Sequence, residues 1–356
     1  MLHRFSPRIK KTLSMLLLLG LGGCSSTGYY LSALSGHAQL LNAQRPLDEV
    51  LADPGLPAPT RAALKTMLEA RDFASRELAL PDNDSYRSYA DLGREYAVWN
   101  VVAAPPFSLE PKQWCFIFVG CVSYRGYYRQ AQAQNYAEAL RAEGLDVQVA
   151  GARAYSTLGW TDDPLLNTML DRAETRRVGI IFHELAHQQL FIKGDSRFNE
   201  SFATAVEQEG IRRWLRTQGR DEAYQRYLEE RRRDGQFKQM LFRTREKLQT
   251  LYQQDRSGAY KREQKARIFS ELKQDFARLK KNQAEFAVYD RWMAQDLNNA
   301  HLALLATYSE YAPAFAALLT AKQGDLRAFY QAAEAIAEKE PGQRRKLLRQ
   351  WAKKAR

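Results

Sequence analysis

The sequence predicts an α+β fold, predominantly helical, in which a small sheet supports two consecutive helices and a long helical hairpin is inserted after them. Three observations predict it. Strand-like segments cluster between Trp114 and Gly159, whereas helical spacing of apolar residues runs through most of the remainder. His183-Glu184-Leu185-Ala186-His187 lies in one apolar-periodic stretch, and Asn199-Glu200 opens another after the breaker Lys193-Gly194-Asp195-Ser196. Finally, two long charged segments with sparse apolar stripes, Asp221 to Gln253 and Tyr260 to Asn282, flank Asp255-Arg256-Ser257-Gly258.

Five regions follow in order. Residues 1–23 have the form of a secretion signal: Arg4, Arg8, Lys10 and Lys11 precede an apolar run, Leu13 to Leu21, too short to span a bilayer. Leu21-Gly22-Gly23-Cys24 then matches a bacterial lipoprotein cleavage box. It predicts a lipidated Cys24, and Ser25 after it favours the outer membrane, facing the periplasm. Removing the signal lowers the net charge from +12 to +8. The basic residues gather toward the C-terminal half without a nucleic-acid fold signature, so a solvated or lipid-facing surface is expected and no nucleic-acid partner.

Residues 24–114 read as a helical N-terminal region, with helices broken at Pro54-Gly55 and Pro57-Ala58-Pro59, and one from Ala62 to Leu80 stopped by Pro81. Residues 115–220 hold the sheet and the His/Glu motifs. A helix over Gln130 to Glu143, a strand over Leu145 to Ala150 and another over Ala152 to Gly159 are expected there. Cys115 and Cys121 sit in the first strand-like region. On one straight strand their Cα atoms would lie roughly 20 Å apart, so a disulfide requires the chain to fold back at Gly120. Residues 221–285 form the hairpin, expected to project as a scaffold and to offer a surface for an envelope partner. Residues 286–356 return to apolar helices, over Ala287 to Thr320, and end in a basic, solvated helix.

The motif carries the chemistry. On a helix, residues four apart share a face, so His183 and His187 can present two imidazoles to one metal ion, with Glu184 placed to act on water without ligating. With five His in the chain, composition alone makes a chance occurrence rarer than roughly one per cent. A third His ten residues after the first would complete one known ligand set, but Lys193 stands there. A Glu from the next helix is the other solution. Glu200 is the natural candidate; Glu207 and Glu209 are its rivals, and Glu207 also suits a supporting role two turns along the same face.

FHELAHQ followed by FNESFATAVEQEG resembles the bacterial zinc aminopeptidases of the gluzincin type, a family of envelope proteins. SYRSYADLGREYAVWNVVAAPPFSL, WCFIFVGCVSYRGYY and AYSTLGWTDDP extend the resemblance from about Tyr29 to Phe315. It implies a zincin-like metallopeptidase core and one zinc ion on His183, His187 and Glu200, with Glu184 as general base. It also implies an edge strand before the zinc helix on which an extended peptide pairs, here Ala154-Tyr155-Ser156. Asn298, Asn299, His301 and Tyr308 are the candidates for oxyanion support. Aminopeptidases of this type carry a Gly-x-Met-Glu-Asn strand whose Glu grips the substrate amine. This chain has no Glu between Ala154 and Gly159, which leaves Asp162, Asp163 or Glu207 to supply the anion.

The sequence therefore predicts a zinc peptidase, an aminopeptidase by resemblance, acting on periplasmic peptides. An endopeptidase of the same fold and a non-catalytic zinc-binding envelope scaffold are the alternatives.

Overall fold

The computed structural model describes residues 24–116, 120–154, 156–157, 159–305 and 311–354, with side chains from residue 28 onward. The expected signal segment, the Cys24 side chain, Tyr155 and Tyr308 lie outside the described residues. Helices α1 (Cys24–Asn42), α2 (Leu47–Ala52) and α3 (Ala58–Leu78) come first, with strand β1 (Gln44–Pro46) between α1 and α2. Then come β2 (Ser88–Ala90), β3 (Val98–Ala104), β4 (Trp114–Phe116), β5 (Gly120–Val122), β6 (Arg125–Tyr127), α4 (Gln130–Ala142), β7 (Asp146–Ala152) and β8 (Leu165–Leu166). The rest is helical: α5 (Asn167–Leu170), α6 (Glu174–Gln189), α7 (Ser196–Thr217), α8 (Asp221–Gln253) and α9 (Gly258–Asn282), then a 3₁₀ turn over Ala284–Tyr289. After it come α10 (Asp290–Met293), α11 (Asn299–Ala303), α12 (Ala312–Ala321), α13 (Leu326–Ala337) and α14 (Pro341–Lys354). The fold is α+β and predominantly helical.

Several boundaries differ from those expected, each for a local reason. Helix α3 starts at Ala58, because Pro59 is tolerated in a first turn, and it stops at Leu78, where Ala79 turns left-handed at φ 52° before Pro81. The N-terminal region is not purely helical, since β1 pairs antiparallel with β2, and β2 pairs parallel with β8. Among the described residues, Ala287 to Thr320 holds the end of a 3₁₀ turn and three short helices.

The second sheet has the order β6-β3-β7, antiparallel throughout. The expected strand over Ala152 to Gly159 is corrected: β7 ends at Ala152, opposite Val98, where its partner β3 begins. With no strand left to pair with, the chain bends at Arg153, whose guanidinium caps the Tyr96 ring at 5.0 Å and reaches Glu95 at 2.9 Å. Residues 115 and 121 face each other across the β4–β5 hairpin and are joined by a disulfide. Gly120 opens β5 opposite Phe116 and takes φ +78°, a conformation a Cβ resists.

The main core gathers around α3, α6 and α7, with α12 and α13 closing it. Helix α6 buries Val178, Ile181, Phe182, Leu185 and Ala186, one stripe of its periodic pattern, and so turns its two histidines the other way. Helix α7 answers with Phe198 and Phe202, which meet Phe315 at 5.1 and 5.7 Å. The α6–α7 approach depends on Gly210: a Cβ there would sit 2.5 Å from Phe182 Cδ2 and 2.8 Å from Leu78 Cδ1. Both neighbours are fully buried and have nowhere to retreat. Gly210→Ala is expected to destabilise the fold by about 1–3 kcal/mol, the usual cost of overpacking, read as a lowered denaturant midpoint at unchanged m-value.

The hairpin α8–α9 does not project freely. Its seam of Phe237, Leu241, Leu248, Phe269, Leu272 and Phe276 is completed by Leu109 and by Phe286, Met293 and Leu302 from the segment that follows it. The terminal helix is likewise tied down: Arg344 is buried, and its guanidinium donates to Asp195 at 2.8 Å. Among the described residues no helix is long and apolar enough to cross a membrane.

Candidate metal centre

The turn between α6 and α7 sets the site. Gly194 takes φ +81°, and Asp195 caps α7 by accepting from the Phe198 amide at 3.1 Å. Asn199 clamps the turn through two 2.8 Å bonds, accepting from the Ile192 amide and donating to the Ile192 carbonyl. Its neighbour Glu200 is thereby presented to the preceding helix.

His183, His187 and Glu200 converge there, each offering a ligand atom within 4.8 Å of the others. His183 Nε2 lies 3.3 Å from Glu200 Oε2, and His187 Nε2 lies 3.8 Å from Glu200 Oε1. On its outer side, His183 Nδ1 meets Glu207 Oε2 at 3.2 Å, which fixes the ring and leaves Nε2 directed at the cluster. Glu209, the other rival, is committed to Arg212 and Arg213 at 2.6 and 2.7 Å. Two imidazoles and a carboxylate form a donor set that can hold a metal ion and is compatible with zinc.

By themselves, the carboxylates and imidazoles of the cluster share charge with one another. Burial disfavours charge on His183, but the hydrogen bonds its ring donates to the carboxylates of Glu200 and Glu207 outweigh it and hold its pKa well above the ordinary value. Burial and the His183 charge push His187 down to about 4, so it offers an unprotonated nitrogen at neutral pH. Glu200 and Glu207 are held below the usual carboxylate range, burial being overcome by His183. Burial pushes Glu184 up to about 7; His183 opposes the rise, while the carboxylates of Glu200 and Asp163 add to it.

The loop after β7 comes beside Glu184 without forming a strand. Asp163 is 1% exposed, and its Oδ2 accepts from the Thr157 amide at 2.9 Å and the Ser156 hydroxyl at 3.2 Å. Its carboxylate is thus spent on holding this loop. Ala154 packs on the main core. Asp162 is exposed, and its carbonyl accepts from Gln44 at 3.4 Å.

The C-terminal candidates serve the scaffold. Asn298 caps α11 through the Ala300 amide and donates to the Val147 carbonyl. The buried Asn299 amide donates to the carbonyls of Pro105, Pro106 and Ser108 and accepts from the Tyr252 hydroxyl. His301 bonds Asn298 and Gln295. These partners belong to the β3–β4 loop, β7, the hairpin and the segment around α11 itself, not to the metal cluster.

Two residues near the site gave no sign in the sequence. Tyr86 is fully buried at φ 67°, and its phenol is pushed far up by burial and by the charges of Glu184 and Asp163. Arg71, also fully buried, holds the preceding loop by donating to the carbonyls of Ser85 at 2.8 Å and Asn83 at 2.7 Å. Gln188, next to His187, is stitched to the same loop through Ser85 at 3.2 Å and Asn83 at 2.7 Å. The only signal was the tyrosine-rich composition of Ser85 to Asn100, which says nothing about which ring is buried.

No curated protein and no solved structure gives a significant match to the chain. A family model described as "putative aminopeptidase" matches residues 28–348, nearly the whole of it. That family points to peptidase activity, and the chain belongs to it.

Proposed function

We propose that this protein is a zinc-dependent peptidase with a zincin-like core, held to the outer membrane through Cys24 and cleaving periplasmic peptides. One observation carries the reading: His183 Nε2, His187 Nε2 and the Glu200 carboxylate converge beside a half-buried Glu184. When bound by those three residues, zinc supplies a Lewis acid for the scissile carbonyl and for water. Glu184 accepts the proton of the attacking water on its carboxylate and returns it to the leaving amine nitrogen. A carboxyl with its pKa near 7 suits both halves of that transfer. Glu207, on His183 Nδ1, keeps the ring oriented while this happens. The Cys115–Cys121 disulfide supports export to an oxidising compartment.

Metal analysis with a peptidase assay tests the proposal. The expected result is one zinc per chain and cleavage lost to a chelator and restored by zinc. Stoichiometric zinc with no cleavage across a broad peptide library would favour a binding module instead.

A second reading, the endopeptidase, has a specific observation in its favour. Of the three anions named to grip a substrate amine, Asp163 is buried in its own loop and Glu207 is engaged by His183, which leaves Asp162 alone for that task. Amino-terminal acetylation decides between the two. Acetylated peptides are expected to resist an aminopeptidase completely and to be cut by an endopeptidase at a rate close to that of the free peptide.

A further inference from the structure

Among the described residues, helix α1 keeps an exposed outward face. Its nineteen residues include no Asp, Glu, Lys or Arg, although those four types make up 26% of the chain. A helix facing only water would carry several. Leu31 and Leu34 are 62% and 66% exposed, and Tyr30 beside them 42%. The opposite face is fixed: Tyr29 stacks on Phe116 at 5.8 Å and lies under the Arg125 guanidinium at 3.9 Å. Ser32 bonds Gln132 at 2.9 Å, and Leu40 is in the main core. The orientation of the exposed leucines is therefore set by packing.

The position of this face in the chain says what covers it. Cys24, the residue that the cleavage box marks for lipidation, is the first described residue of α1. Position 31 follows it by seven residues and position 34 by ten, i+3 and i+4 steps along one side of the helix, at about 10 and 15 Å of rise. An acyl chain at the head of α1 thus brings this side to the lipid surface. Leucine and tyrosine without charge are the side chains that settle at the boundary between headgroups and acyl chains.

We infer that the outward face of α1, with Tyr30, Leu31 and Leu34, docks on the bilayer that holds the Cys24 lipid, so that the anchor is a seated helix rather than a tether. The inference rests on the lipoprotein reading of Cys24. A seated helix fixes the orientation of the whole protein on the membrane, because α1 is packed against the β-hairpin and α4.

The test uses the full-length, lipidated protein in vesicles of phosphatidylethanolamine and phosphatidylglycerol. Leu34→Cys supplies a thiol for an environment-sensitive fluorophore, since Cys115 and Cys121 are paired and Cys24 is acylated. Lipids brominated on their acyl chains are expected to quench a label at position 34 at least about twofold more than one at the exposed Glu69 position (Glu69→Cys), as interfacial insertion requires. Adding Leu31→Glu to Leu34→Cys is expected to abolish the excess quenching while the protein still sediments with the vesicles. Equal quenching at 34 and 69 in protein whose mass shows the lipid would overturn the docking alone. A blue-shifted label that brominated lipid does not quench would mean that protein covers the face, and would overturn it too. A mass without lipid on Cys24 would overturn the lipoprotein reading, and the docking with it.

Discussion

Glu184→Gln is expected to reduce turnover by about 10²–10⁴-fold while leaving the metal in place, because the amide keeps the shape of the side chain but cannot accept the water's proton. The separation of the two effects follows from the geometry. Glu184 is not among the three converging donors, and its carboxyl is instead surrounded by burial, His183, Glu200 and Asp163. Zinc content by mass spectrometry and kcat on a cleavable peptide are the two readouts. Loss of kcat with KM nearly unchanged would mark an interaction made in the transition state. Hydrolysis by Glu184→Gln at the parental rate would remove Glu184 from the chemistry. Loss of zinc from this variant would instead make it a ligand.

The parts of this arrangement that were legible in the sequence are those written in local pattern. The spacing of His183 and His187, the turn residue Gly194 and the cap Asp195 are decisions made within a few residues, and the structure places them as helix, left-handed turn and N-cap. The first arm of the hairpin runs from Asp221 to Gln253 as its stripe indicates, and the second starts two residues early, at Gly258. Strands of two or three residues, such as β1, β2 and β8, are too short for alternation to register. Roles created by burial were not legible either. Arg71 reads as a solvated helix residue until the loop 81–85 closes over it. Asp163 reads as a turn residue until Ser156 and Thr157 converge on it. Asn298 and Asn299 show the limit of propensity. Two adjacent Asn near a helix do mark a specific task, but the task is a cap and a loop clamp, which composition cannot distinguish from catalysis.

The assignment of the third ligand gives the other large effect. Glu200→Ala is expected to lose zinc outright, and Glu207→Ala to bind it about 10–100-fold more weakly, the usual cost of removing a residue that orients a ligand. The two carboxylates stand on opposite sides of one imidazole, Glu200 at Nε2 and Glu207 at Nδ1, at 3.3 and 3.2 Å from His183. Distance to His183 alone therefore does not separate them. His187 does, since Glu200 lies 3.8 Å from its Nε2 and only Glu200 joins both rings in the cluster. An ion shared by both histidines must sit on the Nε2 side, where Glu207 faces away. The measurement is the zinc retained after dialysis against a weak chelator, in both variants and the parent, with circular dichroism to show that each remains folded. Zinc kept by Glu200→Ala and lost by Glu207→Ala would place the ion on the Nδ1 side of His183 and give the third ligand to Glu207.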